Sequence, residues 1–549
     1  MATVVKPPPV LDLVREGLLA PLPAALLEGR DTDLLAPLRL VAEDLPPRRP
    51  AGVARAALAP ALERANASYG HRRSSELAAK LADPATEVVV TGQQPGLLGG
   101  PLLTLIKAIA AAKWAERLER AGRPAVAVFW VATEDHDFAE VSRAVVLAPD
   151  GPRAFELGAD PSPLLPVGMR TLGPRMTGLL DEIAAAVPGA RYAAWLRELG
   201  HLYRPEARFG EAFCRLLARL LGDRCPLLLD AMLPEVKAAE RPLLGRLVER
   251  RAAIAEALAA AERRLAARGH RPQVEPRPEA GELFLLRGAE RRRVEWRGPD
   301  GFALRGGDPA ERAFDPSPPH PVGELEAAIA GNPGAVSPGV LARPAVQDGI
   351  LGSSLFVVGP GELAYLAQAA ALYPVLEVEP PALALRPHAL VLEAHLRERL
   401  ADWGGSLADL LRPGNDVDRL LAGEDAGALL APARQAFAAA LSDLGERALA
   451  VDRNLERPLH KTQEQIERAL ETFAGKLEAA LARRDETRRS RLLRLREALL
   501  PFGEPQERVV SSAHFPGKHG EAFVERLWSG LGLGARELQI VTLDGETAT

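Results

Sequence analysis

The sequence predicts an α/β fold: a parallel-sheet core carrying an inserted segment and a helical, coiled-coil arm. Two observations carry this expectation. Between Glu87 and Val131 a β-branched run, a glycine loop, a breaker-free helical stretch and a second apolar run follow one another, as in a βαβ unit. Between Leu459 and Leu500 no breaker occurs, and Ile466, Leu470, Phe473 and Leu477 recur at the spacing of a coiled-coil seam, with Glu, Arg and Lys on the other faces.

The elements follow in order. Residues 1–80 read as helices broken by prolines, with apolar positions at helical spacing from Val53 to Asn66. Residues 81–235 form the first part of the core. Glu87–Thr91 is a strand that stops at Gly92-Gln93-Gln94-Pro95-Gly96, which a helix cannot continue through. Past Gly99-Gly100-Pro101, the stretch Leu102–Arg120 carries Leu103, Ile106, Ala110 and Trp114 on one face and reads as a helix with proline near its first turn. Ala125–Val131 is apolar throughout, as in a strand buried on both faces, and terminates in Thr133-Glu134-Asp135-His136-Asp137. Pro226–Asp230 and Leu355–Gly359 are further strands, the second followed by a helix from Glu362 to Leu372. Residues 236–331 read as an inserted α+β segment, a helix and then short strands over Gly281–Arg305. Residues 332–390 return to the core, 391–500 form the arm, and 501–549 come back to the core. Leu459–Leu500 as one helix would extend about 60 Å. A helix of that length needs a partner, either an antiparallel neighbour from Val391–Leu411 or a second subunit.

Composition narrows the function. A 549-residue chain with 47% hydrophobic and 26% charged residues is globular, with room for three or four structural units. Its 73 acidic and 68 basic residues give a net charge of −5, and no Lys/Arg block makes a stripe that a duplex would need, so no nucleic-acid partner is expected. The N-terminus has no apolar signal region and no apolar run reaches the ~18–20 residues of a membrane span, so the expected location is the cytoplasm. Cys214 and Cys225 show neither a CxxC nor a zinc spacing and are expected to be buried thiols. Only 8 of the basic residues are lysine and only 10 glutamines occur, so Lys107 and the adjacent Gln93 and Gln94 stand out from an Ala/Leu/Arg background.

Three constellations could carry chemistry. In the first, Gly92, Gln93, Gln94, Gly96, Gly99, Gly100 and Lys107 combine backbone N–H groups, a helix N-terminus and a cation, which suits an anion such as phosphate. The motif is neither GK[ST] nor GxGxxG, and a tight strand-to-helix turn with an exposed lysine accounts for it equally well. In the second, Glu134, Asp135, His136 and Asp137 could position and deprotonate an amine, orient a ribose or, less readily, hold a divalent ion. The alternative is a solvated loop whose Asp caps the next helix. The third comprises Ser337, Arg343, Gln347, Gly359, Glu362 and Tyr365. Here the arginine suits a carboxylate or phosphate, and Glu362 opens a helix where a carboxylate is favoured anyway.

VTGQQPGLLGGPLLTLIKA (90–108), PAVAVFWVATEDHDFAEVS (124–142), SPGVLARPAVQDGIL (337–351) and GPGELAYLAQ (359–368) resemble, in order and spacing, the BshC family, the cysteine-adding enzymes of bacillithiol biosynthesis. QERV (506–509) with Gly520 is similar to that family's closing segment. The resemblance implies a Rossmann-like core of the kind found in class I aminoacyl-tRNA synthetases and nucleotidylyltransferases, with connecting insertions and a coiled-coil arm that makes a homodimer. It also implies a ligase joining the carboxyl group of L-cysteine to the amine of glucosaminyl-malate, with ATP converted to ADP or AMP and magnesium alongside. On that reading Gly92, Gln93, Gln94 and Lys107 hold phosphates or developing negative charge. His136, flanked by Asp135 and Asp137, takes the amine proton, Arg343 binds the malyl carboxylates and Gln347 the sugar. Two departures stand out: Gly339 replaces the asparagine of a Ser-x-Asn element, and Ser511–Phe515 replaces an aromatic-rich tail. Another nucleotide-dependent ligase or nucleotidylyltransferase, or a non-catalytic dimeric scaffold, are the competing expectations.

Overall fold

The computed structural model describes residues 11–48, 54–277, 279–306, 319–483 and 486–543, which divide into two compact units. The larger runs to Val391 and takes in Gln506–Leu543; the smaller is Leu392–Pro505.

A six-stranded parallel sheet organises the larger unit. Its strands are β1 (Arg39–Val41), β2 (Glu87–Gln93), β3 (Ala125–Val131), β4 (Leu227–Asp230), β9 (Ser353–Val358) and β10 (Ala382–Leu385). They lie in the order β1-β10-β9-β2-β3-β4, and every pairing is parallel. The chain winds outward from β2 through β3 to β4, then returns to β9 beside β2 and winds outward the other way to β10, whose far edge is covered by the N-terminal strand β1. The order therefore reverses between β2 and β9, and the crevice outside their carboxyl ends is where ligands bind in such sheets.

Alternation along each strand builds the two faces. Val88 and Val90 of β2 join Val128, Phe356, Leu58 and Leu62 in one cluster, while Val89 joins Ala127, Val357 and Trp114 on the other side. Trp114 belongs to α1 (Leu103–Arg120), as its spacing predicts. The edge strand β1 lies inside the segment expected to be only helical. Its three residues, Arg39-Leu40-Val41, are too few to show a period, and pairing with β10 is what makes them a strand.

The inserted segment between β4 and β9 begins with α2 (Pro234–Glu249) and α3 (Arg251–Ala267). An antiparallel sheet follows: β5 (Ala280–Arg287), β6 (Glu290–Trp296), β7 (Gly301–Arg305), His320–Pro321 and β8 (Val336–Pro338). Because β8 pairs with β5, Ser337 belongs by hydrogen bonding to this sheet. After β8 the chain enters α4 (Arg343–Leu351), and α5 (Pro360–Ala369) follows β9.

The QERV segment is a helical turn, Gln506–Val509, that docks on residues 386–391 through its first two side chains. Gln506 Oε1 accepts the Val391 N–H at 2.9 Å and its Nε2 donates to the Val391 carbonyl at 3.2 Å. Glu507 accepts from Arg386 Nη2 (2.7 Å), His388 Nδ1 (2.9 Å) and the Ala389 N–H (2.8 Å). Both cysteines are free and buried, and burial pushes both thiols well up.

In the smaller unit α6 (Val417–Val451) pairs with α7 (Glu456–Arg483), and α8 (Glu486–Leu499) follows. Asp416 caps α6, its carboxylate accepting the Arg419 N–H at 2.6 Å. Over the expected helix Leu459–Leu500, α7 packs against α6, while α8 packs against α6 and also against the helices Ala394–Trp403 and Leu407–Leu411 of the expected neighbour. A turn at Asp452–Leu455 reverses the chain, so α6 and α7 run antiparallel. At their contact a Cβ on Gly445 would meet Leu459 Cδ2 at 2.9 Å.

Candidate active site at the strand carboxyl ends

Gly92 sits where β2 and β3 close most tightly. A Cβ there would lie 2.7 Å from the Trp130 carbonyl oxygen, so only glycine fits. The next residues, Gln93 and Gln94, line a cavity of about 640 Å³ at the reversal of strand order. Lys107 on α1 lines it too, but it is not the exposed lysine of a simple turn. It is 1% exposed and donates to the Gly92 carbonyl, to Gln93 Oε1 at 3.2 Å and to Glu362 Oε2 at 2.6 Å. Burial lowers its pKa, and the Glu362 carboxylate opposes that shift.

Gly96, Gly99 and Gly100 do not line the cavity, which corrects the expectation of a phosphate cradle there. Their N–H groups are already spent, on the Gln94 carbonyl (2.9 Å), Tyr203 Oη (3.0 Å) and the Gly96 carbonyl (2.9 Å). Gly99 and Gly100 have φ of +84° and +64°, and a Cβ on Gly99 would stand 3.0 Å from Ser512 Cβ. The loop thus closes onto the returning C-terminal segment, where Ser511 and Ser512 pack behind it and Phe515 is buried in the core.

The four residues after Thr133 diverge. Glu134 turns to α2, where the buried Lys237 ammonium is shared between it and Glu240, the latter at 2.8 Å. Burial raises Glu240 to about 7. Asp135 accepts from Gln94 Nε2 at 3.0 Å, which ties the end of β3 to the end of β2. His136 faces Arg291 of β6, with Nη1 3.0 Å from its Nδ1, and burial and that guanidinium lower its pKa. Glu134, Asp135 and His136 line the cavity. Asp137 does not: its carboxylate caps the turn Phe138–Val141 by accepting the Glu140 N–H at 3.1 Å.

The third constellation divides as well. Arg343 and Tyr365 line the cavity, joined by a 2.7 Å bond from Nη2 to Oη. Burial works against the Arg343 charge, but Tyr365 and Glu362 outweigh it. Gly359 donates its N–H to Glu362 Oε2 at 2.7 Å, so Glu362 caps its own helix and also holds Lys107. Ser337 lies behind the wall, its Oγ accepting from Arg291 Nε at 2.9 Å. Gln347 is fully buried away from the cavity and its Oε1 has no hydrogen-bond partner, so it cannot reach a sugar there.

Sequence reasoning missed Arg291, Glu140, Glu282, Arg386 and Arg508, all on the cavity wall. Glu282, with φ of +49°, fills the space beside Gly339, where a Cβ would meet its Oε2 at 2.8 Å. Burial raises Glu282 to about 7. Glu140 and Arg508 had a signal, standing in the quoted segments 124–142 and QERV; the arginines Arg291-Arg292-Arg293 merge with an Arg-rich background.

The model for the N-terminal Rossmann-like domain of the bacillithiol biosynthesis protein BshC matches residues 41–387, and that for its C-terminal coiled-coil domain matches 389–543. The chain belongs to the BshC family. A relative from Salinibacter ruber, named "Putative cysteine ligase BshC", is 31% identical over 92% of this chain and 91% of its own length. Relatives of the same name from two strains of Thermus thermophilus are each 34% identical, over 80% and 86% of this chain and 86% and 93% of their own lengths. In this BshC family member the Rossmann-like core is the parallel sheet, and the coiled-coil region contains α6 and α7.

Proposed function

We propose that the protein is a carbon–nitrogen ligase that joins the carboxyl group of L-cysteine to the amine of glucosaminyl-malate, giving bacillithiol. The observation that carries this is convergence: the four family motifs, far apart in the chain, put Gln93, Asp135, Arg343 and Glu362 on the wall of one cavity. Amide formation from a free carboxylate is uphill in water, so the reading includes activation by ATP with magnesium. With the glycine-loop N–H groups already spent, the anionic groups of nucleotide and malyl unit fall to Arg343, Arg386, Arg508 and the N-terminus of α5. Gly361 in the first turn of α5 leaves room there, since a Cβ on it would meet nothing within 4 Å.

The reading extends to a homodimer through the helical unit, supported by the exposed Phe437, Leu444 and Phe473 on α6 and α7. A cytoplasmic site of action belongs to it too; among the described residues no helix is long and apolar enough to cross a membrane. Purified protein is incubated with glucosaminyl-malate, cysteine, ATP and magnesium, and the thiol product is followed by mass spectrometry. The expected product carries one cysteine per glucosaminyl-malate. Absence of product with all four components present overturns the reading.

A further inference from the structure

An amine nitrogen that attacks an acyl carbon must shed a proton before it becomes an amide. Among the titratable side chains on the cavity wall near the ends of β2 and β3 are His136 and Glu140. Their hydrogen bonds give them opposite capacities.

Arginine has no acceptor and keeps its charge. With Arg291 Nη1 3.0 Å away, His136 Nδ1 must therefore be the acceptor and carry no proton. A neutral imidazole then bears its proton on Nε2. Asp135 Oδ1 lies 3.7 Å from Nδ1, too far to draw a proton there. Arg291 is itself held fast: Nε donates to Ser337 Oγ at 2.9 Å, Nη2 to the Pro338 carbonyl at 3.4 Å, and its guanidinium carbon lies 3.6 Å from the Phe284 ring centroid. The basic lone pair of His136 is thus occupied by a fixed cation, and Nε2 can only donate.

Glu140 is the reverse case. It is solvent-exposed, and its Oε2 accepts from Gln94 Nε2 at 2.9 Å while Oε1 faces Gln93 Nε2 at 3.4 Å. The Gln93 amide is oriented for this because its Oε1 takes the Lys107 ammonium. A carboxylate has about four lone-pair sites, so two amide contacts leave capacity for a proton. The charges facing Glu140 are Asp135 and Asp137 from its own loop, Lys107 from α1 and Glu362 from α5. Desolvation where the Glu140 side chain lines the cavity, together with the three carboxylates, outweighs Lys107 and raises the Glu140 pKa to about 7, where a general base works best near neutral pH.

We propose that Glu140 is the general base that takes the amine proton, and that His136 is an Nε2–H donor to the acyl oxygen, positioned by Arg291. The proposal rests on the ligase reading, with a mixed anhydride between the cysteine carboxyl and a nucleotide phosphate as acyl donor. The amine lone pair forms the C–N bond, the acyl oxygen takes up negative charge opposite His136 Nε2–H, and one N–H proton passes to Glu140. As the carbonyl re-forms, the C–O bond to phosphate breaks and its electron pair leaves on the phosphate oxygen. Protonated Glu140 then returns its proton to water. The base role expected of His136 passes to Glu140.

The test is the pH profile of kcat with saturating cysteine, glucosaminyl-malate and ATP, measured on the full chain. Wild type should gain activity as pH rises through about 7, as Glu140 ionises. Glu140→Gln should lose about 10²–10⁴-fold in kcat and lose that acidic limb, with little change in KM. His136→Gln, which keeps an N–H donor, should fall by up to about tenfold and keep the limb, whereas His136→Ala should fall about 10²–10³-fold. Nitrogen-15 NMR of the His136 ring should show Nδ1 unprotonated, and protonated in its place at neutral pH would overturn the assignment. An intact limb in Glu140→Gln, or its loss in His136→Gln, overturns it while the ligase reading stands. A wild-type chain that makes no product overturns both.

Discussion

Lys107 Nζ and Glu362 Oε2 stand 2.6 Å apart, joining α1 to α5 across the point where strand order reverses. The pair connects the helices that follow β2 and β9, so it holds the two halves of the sheet in the register that shapes the cavity. Removing one partner leaves the other charge desolvated. Glu362→Gln should therefore lower the Lys107 pKa further and cost about 3–5 kcal/mol in denaturant unfolding, while Lys107→Met combined with Glu362→Met should recover most of that loss. Unfolding midpoints of the single and double variants check this, and additive losses would refute it.

The buried Lys237 holds Glu134 and Glu240 together, one ammonium between two carboxylates. In Lys237→Met both carboxylates stay buried without a counter-charge, which costs about 3–5 kcal/mol at pH 8. Their folded-state pKa values then lie above the unfolded ones, so the variant binds more protons folded than unfolded and regains stability as pH falls. Unfolding free energies at pH 8 and pH 6 should show a smaller deficit at pH 6. An equal deficit at both would mean the carboxylates are not the cause.

Glu507 behaves in the opposite sense. Against the cost of burial, the charges and hydrogen bonds of Arg386 and His388 hold its carboxyl well below the usual range. A depressed folded-state pKa contributes stability that is complete above the unfolded value near 4.5 and is lost as pH falls below it. Glu507→Gln should be less stable than wild type at neutral pH, and its stability should depend less on pH in the acid range. Parallel acid-side slopes for the two proteins would count against this account.

Much of the core was legible because it is local. The valines of β2, the apolar run of β3 and the period of α1 are buried, as alternation and helical spacing demand. The turn residues Gly92 and Gly99 were also legible as glycines that a strand-to-helix loop needs. What they do was not. The N–H of Gly99 is taken by Tyr203, far along the chain, so a loop that reads as an anion cradle is closed from behind. Gln347 sits in a motif with Arg343 yet faces the protein interior, because α4 turns one side to the cavity and the other to the core.

The amino-acid pattern alone determined the βαβ core, the polar residues at its strand ends, the helical arm and the family, since periodicity and turn chemistry are properties of neighbouring residues. Only the tertiary structure decided which of those polar groups meet. Arg291 reaches His136 because β6 of the inserted sheet packs it there, and the proton on an imidazole is set by the donor that faces its other nitrogen. No spacing along the chain records that contact, because it is made between segments that only folding brings together.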